Sequence, residues 1–465
     1  MINVPGTLTP IIKHLLTGGT RPVIVGGYVR DAILGITSKD IDIEVYGIEN
    51  LQVLKSMLEP FGSVNEVGKS FGVLKLTYKG LDLDFALPRI ESKTAPGHRG
   101  FSVVSNGNLS FETAARRRDF TINAIGFDLE TSTLLDPFNG QDDLHQKRLR
   151  CVEPDTFTED PLRIMRAVQF AARYELVIES ELLKLCRTMV ERGELQELPK
   201  ERIFEEIKKL LLKAERPSIG FELMKEMGIL RHFPELLALQ GVRQNPIYHP
   251  EGDVWIHTLM SLDAMAAMRS GDEKHDLLLM FAVLCHDLGK PSTTVITGKK
   301  ISSLGHEEAG LEPTRSLLGR LTDEQRFIEQ ILPLVKYHMK PLQFYIQGAK
   351  SAAIKRLSCK VNINDLIAVS KADFLGRTTK EARLGIFPAG EWLKEKAKSL
   401  NVLHKAPKPL LQGKDLIKQG LTPSKQFKTI LQTAYDAQLK GEYDTVDGAR
   451  KWLRGYIERS DLGKS

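Results

Sequence analysis

The spacing of apolar residues changes character once, near Pro161, and no other feature of the chain restricts its fold more. Ahead of that point the period is two. Ile41, Ile43 and Val45 alternate with Asp42 and Glu44, as on a strand with one polar face. Residues 73–78 and 81–87 repeat the pattern around the turn Lys79-Gly80, and residues 22–25 form a short apolar run ending in Gly26-Gly27. A helical stretch to Leu34 follows, with Gly35 as its stop. Residues 92–110, with Pro96, three glycines and two asparagines, read as a mobile loop. Beyond Pro161 the period is helical and few strand signals return. The expected class is α+β: a small mixed β-sheet head, then an extended all-helical body. Proline and glycine in 240–253 and prolines in 388–409 mark boundaries. They divide the chain into a head at 1–150, a helical neck and body at 151–240, a third domain at 241–385 and a basic helical C-terminal region at 386–465.

Composition narrows the class further. A length of 465 residues exceeds one typical domain, and 42% hydrophobic with 27% charged residues suits a globular chain rather than a disordered, fibrous or small disulfide-braced one. The longest strongly apolar run, 277–285, has nine residues, whereas a membrane span needs about 20. No signal peptide is read at the N-terminus. Cys151, Cys186, Cys285 and Cys359 lack metal-knuckle or disulfide spacing, which predicts buried reduced thiols in a cytoplasmic protein without a membrane partner. The net charge is +6, and residues 391–465, with 15 Lys and Arg against 9 Asp and Glu, account for all of it. That surplus is either a solvated helical face or a surface for a polyanion. Six of the eleven histidines (His249, His257, His275, His286, His306, His338) fall within ninety residues, which points to a metal or phosphate site there.

Three features of the head carry chemistry. Gly26-Gly27-Tyr28-Val29-Arg30-Asp31 puts a two-glycine turn between strand and helix, where backbone amides and the Arg30 fork can approach a phosphate. Asp40-Ile41-Asp42 directs two carboxylates to one side of a strand, and such a pair favours a cation between its members; hard oxygen ligands suit Mg²⁺. A carboxylate on a neighbouring strand, Asp84 or Asp82, would complete a two-metal site for phosphoryl chemistry. Arg116-Arg117-Arg118-Asp119 is either a solvated turn or a triphosphate neutraliser. Further on, Asp160 and Arg163 share one helical face, as a cap with an ion pair or as an acceptor and donor fork for a base edge.

In order, GGYVRDAILG, DID, RRRDFTINA, DPFNGQDDL, EDPLRIMRAVQFAARY and ERIFEE resemble the successive motifs of class II tRNA nucleotidyltransferases, the CCA-adding enzymes, over residues 21 to about 210. The resemblance implies Mg²⁺ on Asp40 and Asp42, triphosphate contacts from Gly27, Arg30 and Arg118, and base recognition by Asp160 and Arg163. It also implies a nucleotide contact from Arg166, and makes 92–110 the flexible loop that helps switch specificity from CTP to ATP. Gln169 stands where the family usually has an arginine, which leaves a contact from that position in doubt.

A second constellation begins with His257, continues through His286-Asp287-Leu288-Gly289-Lys290 and His306, and ends at Asp373. Imidazoles and carboxylates from separate helices can converge on one divalent metal. The pattern is similar to the HD superfamily of metal phosphohydrolases, with His257, His286, Asp287 and Asp373 as ligands for Ni²⁺, Co²⁺ or Mn²⁺ and His306 as a phosphate-handling group. A nucleotidyltransferase followed by an HD domain resembles one long bacterial form of the CCA-adding enzyme. The expected function is template-independent addition of C, C and A to tRNA from CTP and ATP, with Asp40, Asp42 and Asp84 catalytic. A metal-dependent 2′,3′-cyclic phosphodiesterase or phosphatase activity accompanies it. A poly(A) polymerase or a partial CC- or A-adding enzyme shares the head motifs. An HD phosphohydrolase with an RNA-binding head is the alternative of a different class, opposed by the intact Asp40–Asp42 pair.

Overall fold

The computed structural model describes residues 2–48, 50–67, 72–93 and 101–460, with side chains for all of these except 91–93 and 101–103. The chain forms two compact units, Met1–His232 and Phe233–Ser465.

The first unit contains β1 (Arg21–Val25), β2 (Asp40–Tyr46), β3 (Val64–Val67), β4 (Val73–Tyr78), β5 (Leu81–Ala86), β6 (Arg89–Lys93), β7 (Phe101–Ser105), β8 (Gly126–Asp128) and β9 (Thr133–Leu135). Seven of them make one sheet in the order β3-β4-β5-β2-β1-β8-β9. The β2–β5 pair is parallel and the others are antiparallel, so the sheet is mixed. Alternation sorts its faces: Ile41, Ile43, Leu83 and Phe85 are buried, while Asp40 and Asp82 on the opposite face are exposed. Burying that apolar face is the main driving force for the head.

Strands β6 and β7 form a separate antiparallel pair, with Arg89 opposite Ser105 and Lys93 opposite Phe101. The expected loop at 92–110 is therefore corrected at 92–93 and 101–105, which are strand, while 106–110 is turn and coil as expected. The β-branched pair Val103-Val104 favours extended backbone more strongly than the surrounding glycines oppose it. Residues 94–100 of that segment lie outside the described residues.

The neck is built on the Leu162–Tyr174 helix, which packs on the Lys200–Lys213 and Pro217–Glu226 helices. Phe120, fully buried, lies 5.9 Å from Phe157 and 5.6 Å from Phe170 between ring centroids, joining the arginine-rich segment to this helix. Asp143 is buried as well and accepts from Thr121, Arg148 and Arg150.

The second unit is largely helical. The Val254–Ala266, Glu273–Cys285, Gln325–Tyr337 and Ile363–Leu375 helices pack against one another. A short hairpin, Val295–Thr297 with Lys300–Ser302, interrupts the helical pattern; Gly298 supplies the positive φ (+61°) of its turn. The Pro388–Ser399 helix shares a core with Ile354, Ile363 and Ile367 through Leu393 and Ala397. A separate core starts at Leu411 and includes Leu416, Ile430, Ala434 and Leu453. Three cysteines are buried as expected, but Cys359 is exposed at the end of the Ser351–Ser358 helix, on a face turned from the core. Among the described residues no helix is long and apolar enough to cross a membrane.

Truncating Phe120 leaves a cavity in the seam between sheet and neck. Phe120→Ala is expected to destabilise the first unit by about 3–5 kcal/mol, read as a lower urea midpoint for that unit.

Candidate active sites

The β2–β5 register sets Asp40 opposite Asp82 and Asp42 opposite Asp84. Since residues i and i+2 share a face, the four acids form two rows on one side of the sheet. The second row opens into a cleft of about 200 Å³, lined by Asp42, Asp84, Glu44, Arg89, Arg117 and Arg118 among others. Asp84, not Asp82, is thus the third carboxylate of the cleft. Asp82 instead accepts from the Thr77 hydroxyl at 3.0 Å. Asp40 is exposed, one step along the face from Asp42. Although Asp42 is exposed, desolvation by the cleft walls raises its carboxyl from the ordinary value, and Asp84, Asp40 and Glu44 add to this against the pull of Arg118. Lys75 Nζ lies 3.0 Å from Asp84 and supplies part of the missing positive charge. Converging acids of this kind suit a divalent cation with oxygen ligands.

Glu44, the third acid on that face of β2, was not singled out by sequence reasoning. It is 3% exposed and accepts from Arg117 at 2.8 Å, Arg118 at 3.0 Å and the Tyr46 hydroxyl at 2.9 Å. Burial alone would raise its pKa, but the two guanidinium groups and Tyr46 hold it below the ordinary value. Two arginines on one carboxylate leave a net positive charge on the wall of the cleft. The signal available was the period itself, since residue 44 is on the face of residues 40 and 42. Arg116 turns away to Glu112 and Glu153.

Gly26 lies at φ +71°, which favours glycine, and a Cβ there would meet the movable Arg118 Nη1 at 2.9 Å. Gly27 opens the Gly27–Ile33 helix, with Arg30 Nη2 3.6 Å from the place a Cβ would take. Arg30 is 4% exposed, donates to Asp31 at 2.6 and 2.8 Å and to Asn123 at 2.6 Å, and lies over the Phe170 and Tyr174 rings. These contacts tie the guanidinium to its surroundings, with Nη2 still beside Gly27.

In the neck, Asp160 accepts from the Leu162 amide and from Arg202 Nη2 at 3.0 Å. Arg163 donates to the carbonyls of Thr156 and Arg117, each at 2.6 Å. The capping element of the sequence reading is present, but the ion pair runs to Arg202 of the ERIFEE motif. Arg166 donates to Asp119 at 2.6 Å and lies over Phe170. Gln169 is 1% exposed, so this position belongs to the core of the neck.

The second unit gathers the HD-like residues and adds one. His257, His286 and Asp373 offer ligand atoms within 4.8 Å of one another, and so do Asp287, His306 and His338. His338, missed as a ligand in the sequence, lies 3.2 Å from His306, Nε2 to Nε2. His306, read as a phosphate-handling group, lies 3.5 Å from Asp287 and within the second of these groups. His257 Nε2 faces Asp373 at 3.1 Å and Asp287 at 3.8 Å. Three of the imidazoles donate Nδ1–H to a backbone carbonyl three residues earlier: His286 to Val283, His306 to Ser303, His338 to Val335. Their Nε2 lone pairs are thereby turned inward, onto carboxylates and onto each other. His286 Nε2 and both Asp287 oxygens are buried without a hydrogen bond of proper geometry. Lone pairs facing lone pairs call for cations, and this imidazole and carboxylate set fits divalent metals. Burial and the neighbouring imidazoles push His338 down to about 3. Lys290 Nζ, 2.7 Å from Asp287, adds a fixed positive charge at the rim.

Comparison with known proteins follows the same division. Residues 23–150 match the "Poly A polymerase head domain", 175–239 the "Probable RNA and SrmB- binding site of polymerase A" and 254–376 the "HD domain". The chain is 37% identical over 380 residues to a multifunctional CCA protein of Methylobacillus flagellatus, covering 79% of this chain and 87% of that one. A multifunctional CCA protein of Acinetobacter baumannii strain SDF is 35% identical over 384 residues, 80% of this chain and 88% of that one. Among solved structures, the fold is similar to Bacillus stearothermophilus CCA-adding enzyme in complex with CTP (TM-score 0.70, 20% identity, 98% of this chain and 99% of that one). It is also similar to Thermotoga maritima CCA-adding enzyme complexed with tRNA (TM-score 0.60, 20% identity, 98% and 97%). With a mixed-sheet head, a helical neck and an HD domain matched in this order by relatives of such identity and coverage, the chain belongs to the family of the multifunctional CCA proteins.

Proposed function

We propose that this protein adds C, C and A to tRNA 3′ ends from CTP and ATP, and that its second unit hydrolyses phosphoesters, with a 2′,3′-cyclic phosphate or terminal phosphate of RNA as the substrate class. The observation that carries the first activity is the pairing of Asp42 with Asp84 across β2 and β5, in a cleft walled by Arg117 and Arg118. Asp40, Asp42 and Asp84 would hold Mg²⁺, and in the second unit the triads His257, His286, Asp373 and Asp287, His306, His338 would each hold a transition metal such as Ni²⁺, Co²⁺ or Mn²⁺. When bound, such ions neutralise phosphate charge and make an attacking oxygen more acidic.

The chain's own residues divide the remaining tasks. Arg118, held by Glu44 against the Gly26 turn, binds the triphosphate, with Gly27 leaving room for its approach. Asp42 and Asp84 orient the primer hydroxyl for in-line attack, and pyrophosphate leaves toward the arginines. Asp160 and Arg163 read the base edge, with Arg202 fixing the Asp160 carboxylate and Arg166 contacting the nucleotide from Asp119. A substrate base would replace the backbone partners of Asp160 and Arg163, and this exchange rejects a base that cannot make the same bonds. In the second unit the side chains at the helix ends would hold the metals that bind the phosphate, and Lys290 offsets the charge of Asp287. A poly(A) polymerase shares the head, but relatives matched across most of their length carry the CCA name, and this chain joins the head to an HD domain. Cytoplasmic residence follows from tRNA as substrate.

Asp42→Asn removes one charged ligand but keeps shape, so CTP incorporation into an end-trimmed tRNA is expected to fall by at least about 1,000-fold with an unchanged circular dichroism spectrum. Near-normal incorporation by this variant would contradict the assignment of the head.

The double change His286→Ala, Asp287→Ala should eliminate hydrolysis of bis-p-nitrophenyl phosphate with Ni²⁺, Co²⁺, Mn²⁺ or Mg²⁺ while CCA addition persists. Loss of both activities in a folded variant would show that the two centres are not separate.

His338→Ala tests the second triad through metal content. After dialysis against Co²⁺ the unaltered protein is expected to retain about two equivalents in the second unit and the variant about one. Equal retention, measured by plasma mass spectrometry, would exclude His338 as a ligand.

A further inference from the structure

Among the four imidazoles of the HD centre, His257 is oriented differently from the rest. His286 and His338 each cap the end of a helix, after Cys285 and Tyr337, and His306 opens one. Carbonyls at such positions have no partner inside a helix or lie in the preceding turn, so they are free to accept an imidazole Nδ1–H. His257 lies four residues into the Val254–Ala266 helix, where the backbone carbonyls already serve the helix ladder. It needs an acceptor from elsewhere.

Glu251 provides it. Its side chain is fully buried, and Oε1 accepts from His257 Nδ1 at 2.9 Å and from His249 Nδ1 at 2.8 Å. Oε2 accepts from the Thr378 amide at 3.2 Å, five residues after Asp373 in the chain. The His249 and His257 rings meet edge to face, 4.6 Å between centroids. Both Nδ1 atoms face Glu251 Oε1 at hydrogen-bond distance, so His249, Glu251 and His257 form a hydrogen-bonded network. One carboxylate thereby ties together the turn before the His257 helix, the His257 ring and the backbone beyond the Asp373 helix.

We infer that Glu251 is a positioning residue of the HD centre: it fixes His257 with Nδ1 protonated and Nε2 free as the ligand atom, and so sets the affinity of the centre for a divalent metal. The inference rests on the metal reading of this centre and goes beyond it, because the sequence pattern of the centre does not include Glu251. An outer carboxylate that holds a ligating imidazole typically contributes 10–100-fold to metal affinity.

The test is titration of Co²⁺ alone into the metal-stripped full-length protein, followed by visible absorption. Glu251→Gln is expected to weaken the tighter Co²⁺ site by about 10–100-fold and to alter its absorption band, with the metal-free variant keeping its circular dichroism spectrum. Co²⁺ affinity and band shape within about twofold of the unaltered protein would overturn the inference while leaving the centre intact. Absence of Co²⁺ binding by the unaltered protein would overturn the reading of the centre, and the inference with it. Should Glu251→Gln fail to fold, the unaltered protein decides: ¹⁵N-histidine NMR with Zn²⁺ bound is expected to show His257 protonated at Nδ1. A His257 proton at Nε2 would overturn the inference.

Discussion

Acceptors turned toward acceptors govern both chemical centres of this chain. Two carboxylates held side by side on neighbouring strands, or two imidazole lone pairs 3.2 Å apart, raise the free energy of the fold unless positive charge lies between them. The chain meets that demand partly with its own cations. Arg117 and Arg118 flank Glu44, Lys75 meets Asp84, Lys290 meets Asp287 and Arg377 meets Asp373 at 2.9 Å. What these side chains leave unneutralised is the capacity of each centre for a divalent metal, and through it for a phosphate.

The two units reach this state by different backbone means. In the head, a strand period of two puts acids 40, 42 and 44 on one face, and a parallel register brings Asp84 level with Asp42. In the second unit, no single element could present six ligands to one region, so they come from separate helices whose ends converge. Helix ends suit this purpose because carbonyls there have a lone pair to spare for an imidazole Nδ1–H, which fixes the ring without any further side chain. His257, inside a helix, is the exception, and there a carboxylate takes over from the backbone.

Legibility in the sequence followed the range of the interaction. Asp40, Asp42, His286 and Asp287 were readable because each pair is set by neighbours one or two positions apart. The choice between Asp84 and Asp82 was not, since it depends on the register of two strands forty residues apart. His338 stood within the histidine-rich stretch but without a motif, and only the approach of the Gln325–Tyr337 helix to His306 gives it a partner. Arg202 was visible inside ERIFEE, but its pairing with Asp160 depends on how two neck helices cross. The segment 92–110 misled because turn formers outnumber strand formers there, whereas pairing of 89–93 with 101–105 is a long-range event.

Arg30 shows why a charged residue beside a glycine turn is ambiguous. A guanidinium near a phosphate site can serve the ligand or serve the frame, and composition does not separate the two. Here its donors go to Asp31 and Asn123, its plane lies 4.6 Å from the Tyr174 ring centroid, and Tyr174 itself donates to Asp31. The Gly26 turn is therefore tied to the neck helix through a buried charge pair in which every guanidinium nitrogen has a hydrogen-bond acceptor, a condition that makes burying charge tolerable. With Arg30 committed to the frame, Arg118 is the guanidinium left beside the turn, and Glu44 keeps it there. The turn thus stays rigid without occupying its own phosphate-facing side, and the positive charge that faces the cleft comes from a separate segment whose position is set by one buried glutamate.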